Sequence, residues 1–258
     1  MKVALVQMQV VAGDVDGNRR RGVELTAEAA ANADIVVLPE IWTTGYSLKN
    51  LAEWAEDTSG PTITALADIA RRTKTTVIAG SIPYKQGGRT YNSVFVLDES
   101  GKVISDYQKL HMCSIFGEER FFAPGERRSV FTVGGVKAGV AICYDLRFPE
   151  LFRALASDGA EVIFVPAEWP AARLNHWRVL NQARAIENQV FICAVNCVGR
   201  HRDTAFNGHS MVVAPNGDIL VEGDEEEGIN YCTIDLAMVG AVRSMLNAWD
   251  DRRPDLFG

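Results

Sequence analysis

The chain has 258 residues, 47% of them apolar, and a formal net charge of −7. That is apolar material enough for a substantial core in a single domain over 1–258. The acidic balance, with no basic block and no aromatic–basic interleaving, argues against a nucleic-acid or membrane-surface partner, and no apolar stretch approaches the roughly 20 residues of a membrane span.

Met1-Lys2-Val3-Ala4-Leu5-Val6 opens a strand predicted over 3–10 and lacks the charged and apolar pattern of a leader. Helical spacing covers 18–33, and an apolar strand follows at 35–39. Gly60-Pro61 starts a helix over 61–74, with proline in its first turn. Strands are predicted at 76–80 and 93–97, with a hairpin-type turn at Ser100-Gly101. A strand over 136–143, a helix over 148–158, a strand over 161–165 and a helix over 176–188 then alternate. Strands at 190–198, 210–214 and 231–234 complete the series, with a second turn at Asn216-Gly217. Helices and hairpins mixed in this way imply an α/β protein whose helices cover sheets of mixed strand direction. The pattern leaves open whether there is one sheet or two. No linker, low-complexity segment or internal repeat is legible.

Several chemistries lack their signatures. There is no G-x-G-x-x-G, no G-x-x-x-x-G-K-[ST] and no G-x-S-x-G. His111, His176, His201 and His209 have no metal-ligand spacing, so no zinc site is expected. The cysteines, Cys113, Cys143, Cys193, Cys197 and Cys232, are odd in number and suggest a reducing cytoplasm and no disulfide framework. Cys193 and Cys197, four apart in a buried strand, read as packing.

Three segments end strands on reactive residues, where active sites of α/β sheets collect. In Leu38-Pro39-Glu40, proline stops a strand just before a carboxylate. Glu40 reads either as a solvated surface charge or as a general base at the rim of a pocket, its pKa raised by apolar walls. Lys109, in Tyr107-Gln108-Lys109-Leu110-His111, is either a solvated edge charge or an oxyanion stabiliser. Cys143 lies between a strand and a helix that begins near Phe148-Pro149. It is either a packing residue or a nucleophile whose thiolate is favoured by nearby N–H groups and a cation. Together the three supply a nucleophile, a base and a cation.

On these motifs the sequence resembles the nitrilase superfamily of carbon–nitrogen hydrolases, from Val3 to about Asp235. Cys143-Tyr144-Asp145-Leu146-Arg147-Phe148-Pro149-Glu150, Ala183-Arg184-Ala185-Ile186-Glu187-Asn188-Gln189 and Gly208-His209-Ser210 carry it further. Trp42-Thr43-Thr44-Gly45-Tyr46 and Ala167-Glu168-Trp169-Pro170-Ala171-Ala172-Arg173 are most similar to its omega-amidase branch. His111-Met112-Cys113 departs from the His-Leu-Phe of many relatives.

The resemblance implies a four-layer α-β-β-α sandwich, dimerised through helices into a homodimer or higher oligomer. It implies Cys143 as nucleophile, Glu40 as base, Lys109 as oxyanion stabiliser and Glu118, ahead of its neighbour Glu119, as a second glutamate. It implies an amide substrate such as 2-oxoglutaramate or 2-oxosuccinamate, hydrolysed without a metal or organic cofactor. Other amides, an N-carbamoyl amino acid, a nitrile, or a non-catalytic regulatory role stay open. Tyr46, Tyr144 and Trp169 count as candidate substrate contacts, Tyr144 through its backbone N–H. A small dicarboxylic monoamide needs a reader for its free carboxylate, and an arginine fork matches best. Arg147 is the first choice and Arg173 the second. The rival for Arg147 is a bracing pair with Asp145 or Glu150; for Arg173 it is a solvated loop charge.

Overall fold

In the first strand Val3 and Leu5 face one way, Ala4 and Val6 the other, and all four are buried. A strand covered on both faces needs a packed layer on each side. The computed structural model, which describes residues 1–257, supplies both. Its strands are β1 (Lys2–Gln7), β2 (Gln9–Val11), β3 (Ile35–Val37), β4 (Thr76–Gln86), β5 (Arg89–Leu97), β6 (Val103–Gln108), β7 (Val130–Val133), β8 (Val136–Val140), β9 (Val162–Ala167), β10 (Phe191–Asn196), β11 (Val198–His201), β12 (Thr204–Asn207), β13 (Met211–Val213), β14 (Ile219–Glu222) and β15 (Gly228–Thr233). Its helices are α1 (Val15–Ala30), α2 (Leu51–Trp54), α3 (Pro61–Thr73), α4 (Pro149–Ser157), α5 (Leu174–Asn188), α6 (Ala237–Met245) and α7 (Pro254–Phe257).

Val3, Leu5, Ile35 and Val37 of one sheet share a core with Val140, Ile163 and Val165 of another. The opposite face of the first sheet, through Ala4, Val6, Val36 and Leu38, packs on Leu25 and Ala29 of α1 and Ile63 and Leu66 of α3. Leu151 and Leu155 of α4 and Trp177 and Ala185 of α5 cover the second sheet. The layers therefore run helix, sheet, sheet, helix, as the resemblance implies.

The first sheet has the order β15-β1-β3-β4-β5-β6, and the second, read from β7, β7-β8-β9-β10-β13-β14. Along both, neighbours are antiparallel, parallel, parallel, antiparallel and antiparallel. The two sheets thus repeat one topology, a symmetry invisible in the sequence. β12-β11-β2 form a smaller sheet.

The predicted strand over 3–10 divides at Met8, whose carbonyl accepts from the Val198 N–H (3.0 Å) while β2 leaves for the small sheet. The strand over 190–198 divides at Cys197. The helix predicted from 18 begins at Val15, because the Asp14 side chain caps the Gly17 N–H (3.1 Å). Short hairpin strands such as β11 and β12, carrying Arg200, His201 and Asn207, escaped the apolar pattern, as did α6. Among the described residues no helix is long and apolar enough to cross a membrane.

One glycine shapes the approach to the site. Gly80 has φ +61°, within an irregularity of the β4–β5 ladder between Ile78 and Ser81. This bend lets the Ser81 N–H donate to the Pro39 carbonyl (3.0 Å) and the Ser81 hydroxyl accept from the Ile41 N–H (2.8 Å). A Cβ at position 80 would lie 2.2 Å from the Pro39 oxygen. Gly80→Ala is therefore predicted to lower stability by about 2 kcal/mol or more, from the left-handed φ and the clash together. Thermal unfolding checks this, and an unchanged midpoint would contradict it.

Candidate active site

Glu40 enters from the end of β3. The ladder continues to the Leu38 N–H, which donates to Ile78 (3.1 Å), and Pro39, without an N–H, stops it. The chain then turns through Ile41 at φ +33°, an unusual value for a β-branched residue. The turn is fastened by the Ile41 carbonyl, which accepts from Thr44 and Gly45 (2.9 and 2.8 Å). Glu40 thereby points inward and is 0% exposed. The sequence left it either a solvated surface charge or a base at the rim of a pocket; it is instead wholly buried.

Lys109 enters from the end of β6. Its N–H donates to Asn92 (2.9 Å) and its carbonyl accepts from Gly125 (2.8 Å), which turns the side chain into the protein. The ammonium, also 0% exposed, donates to Glu40 (2.7 Å) and Glu118 (2.9 Å). Glu118 is buried too, in a short turn after Gly117. It accepts from the Tyr46 hydroxyl (2.8 Å) and the Cys113 N–H (2.9 Å). The remaining capacity of Glu40 is taken by the Asn92 amide (2.8 Å) and the Glu168 N–H (3.0 Å). Glu119, by contrast, is exposed and faces Arg120.

Cys143 follows β8 at φ +42°, at the head of a 3₁₀ turn over Cys143–Arg147. Such strain clusters at functional sites. Its sulfur lies 3.9 Å from the Glu168 carbonyl. The turn is anchored by Asp145, whose buried carboxylate accepts from the Ile142 N–H (2.9 Å), the Tyr107 hydroxyl (2.7 Å) and the His111 N–H (3.1 Å). The His111 ring reaches the same carboxylate (2.7 Å) and stacks on Phe148 at 3.7 Å. One aspartate therefore joins the segment of Lys109 to the segment of Cys143.

Burial sets the charge states. It raises the Glu40 carboxyl above its ordinary range, with Lys109 opposing and Glu118 adding. For Lys109 burial works to lower the value, but the charges of Glu118 and Glu40 outweigh it and hold the ammonium well above its ordinary range. Burial holds the Cys143 thiol well above the usual range, with Glu40 adding and Lys109 opposing. The resting nucleophile is thus a thiol, and the expected thiolate is not favoured, because carboxylates surround the one cation.

Cys143 opens into a cleft of about 330 Å³, mouth included, lined by Tyr46, Cys113, Tyr144, Arg147, Trp169 and Arg173 among others. Its enclosed space is only about 30 Å³, well below the roughly 300 to 1,000 Å³ of ligand pockets, so the cleft is narrow and nearly closed. All the predicted substrate contacts line it. Tyr144 lies in the first turn of the 3₁₀ segment, where helix starts leave N–H groups without intrahelical partners. Arg147 lies over the rings of Trp169 (4.7 Å) and Tyr144 (5.8 Å), with one N–H 3.4 Å from the His176 ring. Among the described residues neither Asp145 nor Glu150 pairs with it, so the bracing alternative does not hold. Arg173 likewise has no ion pair there, and its carbonyl accepts from the Trp169 indole (2.9 Å). Among the described residues no group of His, Cys, Asp and Glu is arranged to hold a metal ion.

Asn92, Asp145, Glu168 and Asn196 were missed as site-building residues. Asn196 holds the 168–169 turn, accepting from the Trp169 N–H (2.7 Å) and donating to its carbonyl (3.2 Å). A polar residue within an otherwise apolar strand, as Asn196 is in β10, was the available signal.

Comparison with known proteins agrees with this geometry. The family model for carbon–nitrogen hydrolases matches residues 2–244. The chain is 38% identical to the 2-oxoglutaramate amidase of Bacillus subtilis, over 99% of this chain and 98% of that protein. It is 30% identical to human omega-amidase NIT2, over 99% and 96%. Among solved structures it superposes with a TM-score of 0.92 on a CN-hydrolase superfamily protein of Xanthomonas campestris with an arsenic adduct in the active site. The two are 30% identical over 98% of this chain and 97% of that one. A mutant amidase from Nesterenkonia sp. AN1, showing covalent addition of the acetamide moiety of fluoroacetamide at its active site cysteine, gives a TM-score of 0.88 at 28% identity, over 100% and 95%. Matched to the family over 2–244 and to full-length relatives at 30% identity and above, this chain belongs to the carbon–nitrogen hydrolase family.

Proposed function

We propose that the chain hydrolyses the terminal amide of a short dicarboxylic acid monoamide such as 2-oxoglutaramate, releasing ammonia through a thioester at Cys143. The observation that carries the substrate class is Arg147. Its half-buried guanidinium shares the cleft with Cys143, rests on two aromatic faces, and has no carboxylate partner among the described residues. A fork in that state is suited to a substrate carboxylate. The wider depression outside, which shares Tyr46, Ile115 and Phe116 with the cleft, carries Lys49, Arg120 and Arg202 against one carboxylate, Asp203, although the protein as a whole is acidic. That local positive rim favours an anionic substrate. The likeness to amidases named for 2-oxoglutaramate supports the same reading.

In the mechanism Glu40 takes the thiol proton as the Cys143 sulfur bonds to the amide carbon. Lys109 and the Tyr144 N–H receive the oxyanion, each contributing about 3–4 kcal/mol. Glu40 returns the proton to the amide nitrogen, the C–N bond breaks, and ammonia leaves. Glu40 then deprotonates a water that attacks the thioester, which frees the acid and restores the thiol. Glu118 holds Lys109 in place throughout.

We also propose a homodimer. Val179 and Ile186, seven apart on α5, are 54% and 52% exposed on one helix face, which suits the helix-mediated pairing the resemblance implies. The free cysteines support a cytoplasmic setting, which fractionation beside a cytoplasmic marker tests.

Arg147→Lys is predicted to raise KM for succinamate more than about tenfold and to leave neutral butyramide little affected, with ammonia release as the assay. Equal losses on both would place the carboxylate reader elsewhere. Light scattering at micromolar concentration should return at least a dimeric mass; a monomer would refute the second proposal.

A further inference from the structure

Glu168 is a third carboxyl in the site, and the mechanism above makes no use of its side chain. Its place in the fold parallels that of Glu40: one follows β3 and the other β9, the third strand of each repeated sheet. Its backbone is fully engaged, with the N–H on Glu40 (3.0 Å) and the carbonyl 3.9 Å from the Cys143 sulfur. The residue is only 2% exposed, yet among the described residues neither carboxyl oxygen has a hydrogen-bond partner, and Oε2 is sealed from solvent. Buried polar groups without partners are costly and call for an explanation.

Its backbone contacts place it beside Glu40 and Cys143. Lys109 is committed to Glu40 and Glu118, so among the described residues no cation pairs with the Glu168 carboxyl. Ionising Glu168 would add an unpaired anion to a buried space. Burial first, then the charges of Glu40 and Glu118, hold its carboxyl well above the ordinary range, with Lys109 opposing. A neutral carboxylic acid is a hydrogen-bond donor. The protein gives this one no acceptor, and the amide oxygen of the substrate is already served by Lys109 and Tyr144.

We propose that Glu168 is a specificity-determining residue whose side-chain O–H donates to an acceptor oxygen on the acyl chain of the bound substrate. It rests on the reading of amide hydrolysis at Cys143, and it adds that the preferred acyl chain carries a hydrogen-bond acceptor which an unsubstituted aliphatic amide lacks.

Two measurements test it. Infrared difference spectra between the wild type and Glu168→Gln, at pH 7 without substrate, should show loss of a protonated-carboxyl carbonyl band. Loss of a carboxylate band instead would overturn the proposal, and this arm stands whether or not the substrate reading does. In steady-state kinetics Glu168→Leu should lose roughly thirtyfold in kcat/KM on 2-oxoglutaramate, and at least tenfold less than that on butyramide. Glu168→Gln, which keeps size and a donor, should recover at least about tenfold of the loss. Equal losses on both substrates, or a Gln variant as impaired as Leu, would overturn the donor role. Failure of the wild type to hydrolyse 2-oxoglutaramate while it turns over butyramide would instead sink the substrate reading.

Discussion

A single ammonium, that of Lys109, is buried between the carboxylates of Glu40 and Glu118, and the rest of the site is arranged around it. Taking such a charge out of water costs of order 20 kcal/mol in the idealised limit, and only close geometry with every lone pair occupied offsets it. Here the carboxylates also take donors from Asn92, Glu168, Tyr46 and Cys113. Each donor comes from a different part of the chain, so the charge cluster doubles as a clasp. Glu40 fixes the end of β3, Glu118 fixes the loop after Lys109, and Asp145 ties that loop to the turn of Cys143. Loss of one charged partner would leave the others uncompensated, which typically costs about 3–5 kcal/mol.

The repeated sheet topology explains how two strand ends come to face each other. β3 and β9 hold equivalent places, each has a proline near its end (Pro39 just after β3, Pro166 within β9), and each is followed by a glutamate. The Glu40 N–H donates to the Ala167 carbonyl (3.3 Å), and the Glu168 N–H donates back to the Glu40 carboxylate. Their chemistry differs because Lys109 reaches only Glu40. Local strain at Ile41 and Cys143 is held on either side of this junction by hydrogen bonds to Ser81 and Asp145.

The long apolar strands and helices α1, α3, α4 and α5 were legible because burial on both faces leaves continuous apolar runs and helical spacing leaves a stripe. Glu40, Lys109 and Cys143 could be singled out because each sits where a strand pattern stops. The breaks at Met8 and Cys197 were not legible, since an apolar run looks the same whether it stays in one sheet or crosses to another. Asn92, Asn196 and Asp145 were missed because their partners are backbone groups and side chains distant in sequence. The expectation that a nearby cation favours the Cys143 thiolate goes astray for the same reason: the sequence shows one lysine near a cysteine, and only the fold gathers the carboxyls around it.

Because the resting nucleophile is a buried thiol, the account requires proton removal and carbon–sulfur bond formation to occur together, with the acyl group carried on Cys143 until water arrives. The most direct test is rapid acid quenching of the wild-type enzyme during turnover of succinamate, followed by mass spectrometry of the digested protein. The account predicts a succinyl thioester on the peptide bearing Cys143, and a Cys143→Ala variant that is folded, unlabelled and below about a thousandth of wild-type turnover. Ammonia release with no acyl group on Cys143, or with turnover retained in that variant, would contradict it.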